Sequence, residues 1–166
     1  MRQDPIKILP YDVSWPDAFK QQRVRIEPAL LPWLTGPVEH IGSTAVPGLA
    51  AKPIIDMLAR IDSYDAGGIE QTMTAIGWAH APEPGDAEAR KWSFCFPGPA
   101  WRTHHLHIYE NASDQWPRLL AFRDHLRTHP GDAADYARLK QALAADDDRD
   151  RPRYRAGKAS FINRLS

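Results

Sequence analysis

Cysteine is almost absent from this chain: one in 166 residues, Cys95. A lone cysteine closes no internal disulfide, which sets aside small cross-linked secreted scaffolds and favours a reducing, cytoplasmic setting. A charge surplus is absent too. Lysine plus arginine and aspartate plus glutamate each number 21, so the formal net charge is zero. A protein that lives on a nucleic-acid backbone usually shows a cationic excess, so no stable nucleic-acid binding is expected, with a local basic patch the alternative on a neutral chain. Long apolar runs are missing: stretches such as 46–51 and 54–59 fall far short of the roughly 20 residues of a membrane span. The opening Met-Arg-Gln-Asp-Pro-Ile-Lys lacks the apolar centre of a signal peptide, which again points to the cytoplasm and away from membranes. No repeat or long linker divides the chain. What is there is ordinary globular material, 43% hydrophobic and 10% aromatic, and the length fits a single domain over residues 1–166.

The hydrophobic pattern mixes helix and strand. Residues 6–9 make a short strand candidate. Ser14 followed by Pro16 reads as a capped helix start, with Phe19, Val24, Ile26, Leu30 and Leu31 as apolar positions and Pro28 awkward inside. Strands are expected at 38–41, 54–61, 91–96 and 104–110, the last two joined as an antiparallel hairpin through Pro97-Gly98-Pro99. A helix is expected over 64–76, stopped by Gly77, and a loop over 81–89. Three helices follow: from Ser113 or Asp114 to Thr128, then 132–145, then 154–165. The order predicts an α+β fold, a small mixed sheet with flanking helices and a helical C-terminal part.

Chemistry concentrates in the small-residue loop 42–53. Gly42-Ser43, directly after a strand, offers backbone N–H groups and a hydroxyl to an anion such as phosphate, and Lys52 adds a point charge. Asp56, on the outgoing strand, suits a Mg²⁺ or Mn²⁺ ion that bridges to phosphate oxygens. An ordinary glycine turn, with Asp56 bonded to backbone, would show the same spacing. In His104-His105-Leu106-His107, residues 105 and 107 share one strand face about 6.5–7 Å apart, close enough to hold one ion or one phosphate group. If that strand lies beside the one carrying Asp56, then Asp56, His105 and His107 form a two-histidine, one-carboxylate set, which favours Zn²⁺ or a transition metal over Mg²⁺. The alternative is that one histidine packs within the sheet while the other faces water. His104 reads as structural and Cys95 as a buried apolar residue. Arg123 and Arg127, four apart on a helix, can clamp phosphate oxygens or pair with Asp124. Tyr136, Lys140 and Lys158 can extend a basic rim.

The run His40-Ile41-Gly42-Ser43-Thr44-Ala45-Val46-Pro47-Gly48-Leu49-Ala50-Ala51-Lys52-Pro53-Ile54-Ile55-Asp56 closely resembles the signature of the GrpB family. The resemblance continues through His105-Leu106-His107, Phe122-Arg123-Asp124-His125-Leu126-Arg127, His129-Pro130, Tyr136, Leu139-Lys140, Tyr154, Lys158 and Phe161-Ile162, in the family's order. It implies a nucleotidyltransferase-like fold; relatives also occur fused to dephospho-coenzyme-A kinases. Active nucleotidyltransferases carry Gly-Ser and then two carboxylates, one residue apart, on the next strand. Asp56 matches the first, but Leu58 occupies the second, a departure from the two-metal pattern. Asp62 lies about 20 Å farther along an extended strand, too far to replace it.

Residues and resemblance together lead to the expectation of a metal-dependent nucleotidyltransferase acting on a nucleotide or other phosphate-bearing substrate. In that reading Gly42, Ser43, Lys52, Arg123, Arg127 and Lys140 hold phosphates. Asp56, Lys52 and Arg123 are catalytic, and Asp56, His105 and His107 bind the divalent metal, Mg²⁺, Mn²⁺ or Zn²⁺. Two alternatives stand beside it: a catalytically reduced nucleotide or coenzyme-A-pathway binding module, which Leu58 favours, and a metal-dependent phosphohydrolase. The oligomeric state is left open by the sequence.

Overall fold

The computed structural model describes residues 5–166, so the first four residues of the signal-peptide reading lie outside it. Helix α1 (Trp15–Leu30) buries Trp15, Phe19, Gln22, Ile26 and Leu30, a three-to-four spacing that makes one face. Val24 and Leu31, expected on that face, are instead 65% and 72% exposed. Pro28 is accommodated because the carbonyl it leaves without a donor belongs to exposed Val24. Ser14 caps with no side-chain bond; its backbone N–H donates to Asp12 Oδ1 at 2.8 Å. Residues 6–9 form no strand. Leu9 makes one isolated bridge to Ala51, and the Ile6 N–H donates to the Asp148 carbonyl.

Five strands follow: β1 (Glu39–Ile41), β2 (Ile55–Ile61), β3 (Ala79–His80), β4 (Lys91–Pro97) and β5 (Arg102–Glu110), in the order β1-β2-β5-β4-β3. The expected β4–β5 hairpin is antiparallel, while β2 and β5 run parallel with Asp56 opposite His105 and Leu58 opposite His107. Helix α2 (Ile69–Ala75) starts later than residue 64, because Gly67-Gly68 delays it and Gly68 takes φ +97°. The expected loop 81–89 is flanked by β3 and contains a four-residue helix, α3 (Asp86–Ala89); both are too short to carry a periodicity. The C-terminal helices are α4 (Gln115–Thr128), α5 (Pro130–Asp146) and α6 (Arg151–Leu165). Both later ones start earlier than expected, since Pro130 and Pro152 sit in their first turns, where a missing N–H costs nothing.

Strand alternation sends the two sheet faces to different helices. Ile55, Met57, Ala59, Ile61, Leu106 and Ile108 pack with Phe19, Ile26, Leu30, Ile69 and Met73 from α1 and α2. On the opposite face Ile41, Leu58 and Tyr109 meet Trp116, Leu119 and Leu120 of α4. A third cluster joins Val46 and Leu49 of the long loop to Phe122, Leu126, Tyr136 and Phe161 of the last three helices. Gly157 lets α6 close on α5, since a Cβ there would stand 2.5 Å from Leu143 Cδ2. Asp56, His105 and His107 share the α4 face of the sheet, and α5 and α6 reach the same loop. Among the described residues, no helix is long and apolar enough to cross a membrane.

Candidate functional site

The site begins where β1 stops. Gly42 turns the chain with φ +73°, and a Cβ there would lie 2.8 Å from Asp56 Oδ2. Only glycine permits both that backbone and that approach. Ser43–Ala45 then makes a single 3₁₀ turn. Behind it, buried His40 stacks on Phe19 at 4.8 Å and stands 2.9 Å from the Thr44 hydroxyl. Burial pushes the His40 pKa down to about 4, which makes it a neutral packing group.

Parallel register brings the acid and the two histidines together. Asp56 Oδ1 lies 3.5 Å from His105 Nδ1 and 3.3 Å from His107 Nε2. Both are longer than a typical N–H···O bond of about 2.9–3.0 Å. Two ligands on a tetrahedral ion, at about 2.0–2.1 Å each, stand roughly 3.3–3.4 Å apart, so the spacing matches a coordination edge. One ligand atom from each residue falls within 4.8 Å of the others. The donor set fits one divalent cation, and its two imidazoles suit Zn²⁺ better than Mg²⁺. Burial alone would raise the Asp56 pKa; hydrogen bonds and charge from His105 and His107 outweigh it and hold the carboxyl well below the usual range.

Three lysines converge on the loop beside Asp56. Lys140, 2% exposed, donates from Nζ to Ser43 Oγ at 2.8 Å and to the Ala50 carbonyl at 2.6 Å. Burial first, then repulsion from Lys158 and Lys52, lowers its pKa to about 7. The Ser43 hydroxyl also hydrogen-bonds the Tyr136 phenol. Lys52 and Lys158 stand 4.8 and 4.6 Å from the Tyr154 ring centroid; burial lowers the Lys158 pKa, and the charge of Asp56 offsets this only in part. The Tyr154 hydroxyl is buried with no hydrogen-bond partner among the described residues. Gly42, Ser43, Lys52, Asp56, Tyr136, Lys140, Tyr154 and Lys158 line a cleft of about 100 Å³. That is small against the roughly 300–1,000 Å³ of pockets that engulf whole ligands, and suits one charged group.

Gly42, Ser43, Lys52, Asp56 and Lys140 are thus brought together, with His105 and His107 against Asp56. Arg123 and Arg127 are not brought into the cleft. Arg123 Nη1 donates to Glu39 Oε2 at 2.9 Å and the His40 carbonyl at 3.1 Å, and Arg127 Nε to the Ala45 carbonyl at 2.9 Å. They brace β1 and the turn from α4, lining a separate groove with Phe19 and Pro47. Tyr154 is a lining residue that sequence reasoning gave no role. A signal for it exists: Tyr136 and Lys140, and Tyr154 and Lys158, are each four apart, so two Tyr-x-x-x-Lys pairs face one cleft from α5 and α6.

A family model described as GrpB protein matches residues 5–166. The chain is 37% identical over 158 residues to UPF0157 protein YqkA of Bacillus subtilis, covering 95% of this chain and 45% of that protein. It is 40% identical over 167 residues to UPF0157 protein PA4798 of Pseudomonas aeruginosa, covering 98% and 66%. The chain therefore spans less than two thirds of either of these relatives. With the glutamate-rich protein GrpB of Alkalihalophilus pseudofirmus it shares 26% identity over 161 residues, covering 95% and 92%. The crystal structure of conserved protein GrpB from Enterococcus faecalis superposes with a TM-score of 0.83 at 33% identity, over 96% of this chain and 94% of that one.

Proposed function

The chain belongs to the GrpB family, and from that premise we propose that its cleft holds the phosphate end of a nucleotide or similar small molecule beside one divalent cation, for nucleotidyl or phosphoryl transfer. The observation that carries this reading is the meeting of Ser43, Lys52, Lys140 and Lys158 with Asp56 around about 100 Å³, with two histidines against the same carboxylate. Three lysines around one acid suit an anion, whose negative charge would favour the protonated form of the buried Lys140 and Lys158. In this reading Lys140 and Lys158 contact the outer phosphate oxygens, the Ser43 hydroxyl orients them, and Asp56, His105 and His107 hold the cation. A bound cation would supply charge neutralisation on phosphate and polarise the reacting centre. A binding module without turnover is the second reading, favoured by the buried leucine at position 58.

Calorimetric titration of the metal-free protein tests the metal part. We expect one cation per chain, Zn²⁺ tighter than Mn²⁺ and Mn²⁺ tighter than Mg²⁺, as imidazole donors dictate. In Asp56→Asn, with folding checked by circular dichroism, cation affinity should drop by about tenfold or more, the effect typical even of residues that only support a ligand. Equal cation binding by wild type and Asp56→Asn overturns this reading of the carboxylate. Turnover of a nucleoside triphosphate, to pyrophosphate in nucleotidyl transfer or to the nucleoside diphosphate in phosphoryl transfer, separates transfer from the binding module.

A further inference from the structure

We propose that the pocket beside Trp101 is a stacking subsite for the aromatic base of the ligand whose phosphates occupy the lysine cleft. The inference rests on the cleft reading above and adds the chemical class of the ligand's other end. The turn between β4 and β5 carries Trp101 with 69% of its surface exposed. No core cluster includes this indole, so its ring faces are available to a flat ligand. Trp101 lines a pocket of about 350 Å³ together with Lys7, Lys52, Pro53, Ile54 and Arg102. The pocket adjoins the cleft, with Lys52 and Ile54 lining both.

Topology fixes the separation between the two ends. Ile55 is registered with His104, so the residues just before them, Pro53–Ile54 and Trp101–Thr103, lie at the same edge of β2 and β5. Trp101 precedes the cation-binding candidate His105 by four residues, which limits their separation to about 14 Å. A nucleoside triphosphate places its charged and aromatic ends about that far apart. The cleft alone is too small for a whole nucleotide, while the cleft and the adjoining pocket together offer a polar end and an apolar end. Trp101 and the flat ring of Pro53 suit a planar base, and Arg102 is held in place by donating from Nε to the Pro99 carbonyl at 3.0 Å. Ring stacking tolerates any base, so the subsite selects nucleotides over inorganic phosphates without reading base identity.

Calorimetry with two probes, ATP and inorganic tripolyphosphate, both with Mn²⁺, separates the two ends. We expect Trp101→Ala to weaken ATP binding about 5- to 150-fold, the range for losing one base–aromatic stack, and to leave tripolyphosphate within about twofold. Trp101→Phe should restore ATP binding, and Trp101→Leu, apolar without a π-face, should not. Trp101 is exposed, so all three variants keep the fold. If tripolyphosphate binds and Trp101→Ala leaves ATP unchanged, the subsite is overturned and the cleft reading survives. Rescue by leucine equal to that by phenylalanine also overturns it. If the wild type binds neither probe, the cleft reading fails and this inference fails with it.

Discussion

Replacing Lys140 by methionine should change how stability depends on pH. The side chain is 2% exposed on α5, with Nζ on Ser43 Oγ and the Ala50 carbonyl, and its pKa falls from 10.5 to about 7 through burial and two lysine neighbours. At 1.36 kcal/mol per unit, that drop corresponds to about 5 kcal/mol by which the protonated lysine destabilises the fold. Domains are stable by only about 5–15 kcal/mol, so the effect is measurable. Below pH 7 the lysine is protonated in folded and unfolded chains alike, and the whole penalty is present. Between pH 7 and 10.5 the unfolded chain keeps the proton that the folded one has lost, so stability rises with pH. Above 10.5 both are neutral and the penalty is gone. Lys140→Met carries no such proton, so groups that do not touch Lys140 cancel in the difference, which reads its titration together with its coupling to Lys158 and Lys52. Urea unfolding at pH 7.5 and 9.5 should show wild type gaining about 2–3 kcal/mol relative to the variant. Parallel curves, or a gain for the variant, would refute the buried-ammonium account.

Two further substitutions separate the cleft from its supports. Ser43→Ala should weaken tripolyphosphate binding by about 0.5–3 kcal/mol, the range for one hydrogen bond to a neutral or charged group. Unchanged affinity by calorimetry would reduce the Gly-Ser turn to a structural role. Arg123→Met should destabilise the fold by about 1.5–3 kcal/mol, since it strips Glu39 and the His40 carbonyl of a charged donor. Its tripolyphosphate affinity should hold. Lost affinity at unchanged stability would return Arg123 to the binding machinery.

The long strands were legible because each faces helices on one side, so alternation survives in 91–96 and 104–110 and an apolar run in 54–61. β3 has two residues and takes its shape from β4, which no local pattern announces. At Ser14 the expected side-chain cap is missing: Pro16 has no N–H to offer it, and the Ser14 backbone N–H and hydroxyl both donate to Asp12 instead. At the site, Gly42, Ser43, Lys52 and Asp56 are close in sequence, and their meeting follows from one turn. His105 and His107 come to Asp56 only through the parallel pairing of β2 with β5, a long-range event conditional in the sequence. Arg123 and Arg127 show the limit of helical spacing: four residues apart guarantees a shared face, but not which neighbour that face meets. Theirs meets β1 and the back of the turn.

Leu58 departs from the two-carboxylate pattern, and its surroundings give the reason. It is fully buried with Ile41 and Tyr109 under Trp116, Leu119 and Leu120 of α4. Burying a leucine in such a place contributes about 1.5–3 kcal/mol, which an acid would forfeit. A carboxylate at 58 would also stand directly opposite Glu39 in the antiparallel β1–β2 pair, a like-charge contact. Of the cations on this side of the sheet, Arg123 pairs with Glu39, and Arg60 lies over the face of Trp116 at 4.1 Å. Packing of α4 therefore excludes the second acid from β2. The residue registered beside Leu58 on the next strand is His107, which turns toward Asp56 instead. The polar donors are shifted sideways, from two positions on one strand to two strands, and on the proposed reading they hold one cation rather than two. Two-metal transfer needs a pair of ions about 3.5–4 Å apart. On the proposed reading, the positive charge of the missing ion falls to Lys52, Lys140 and Lys158, which line the cleft where a phosphate chain would lie.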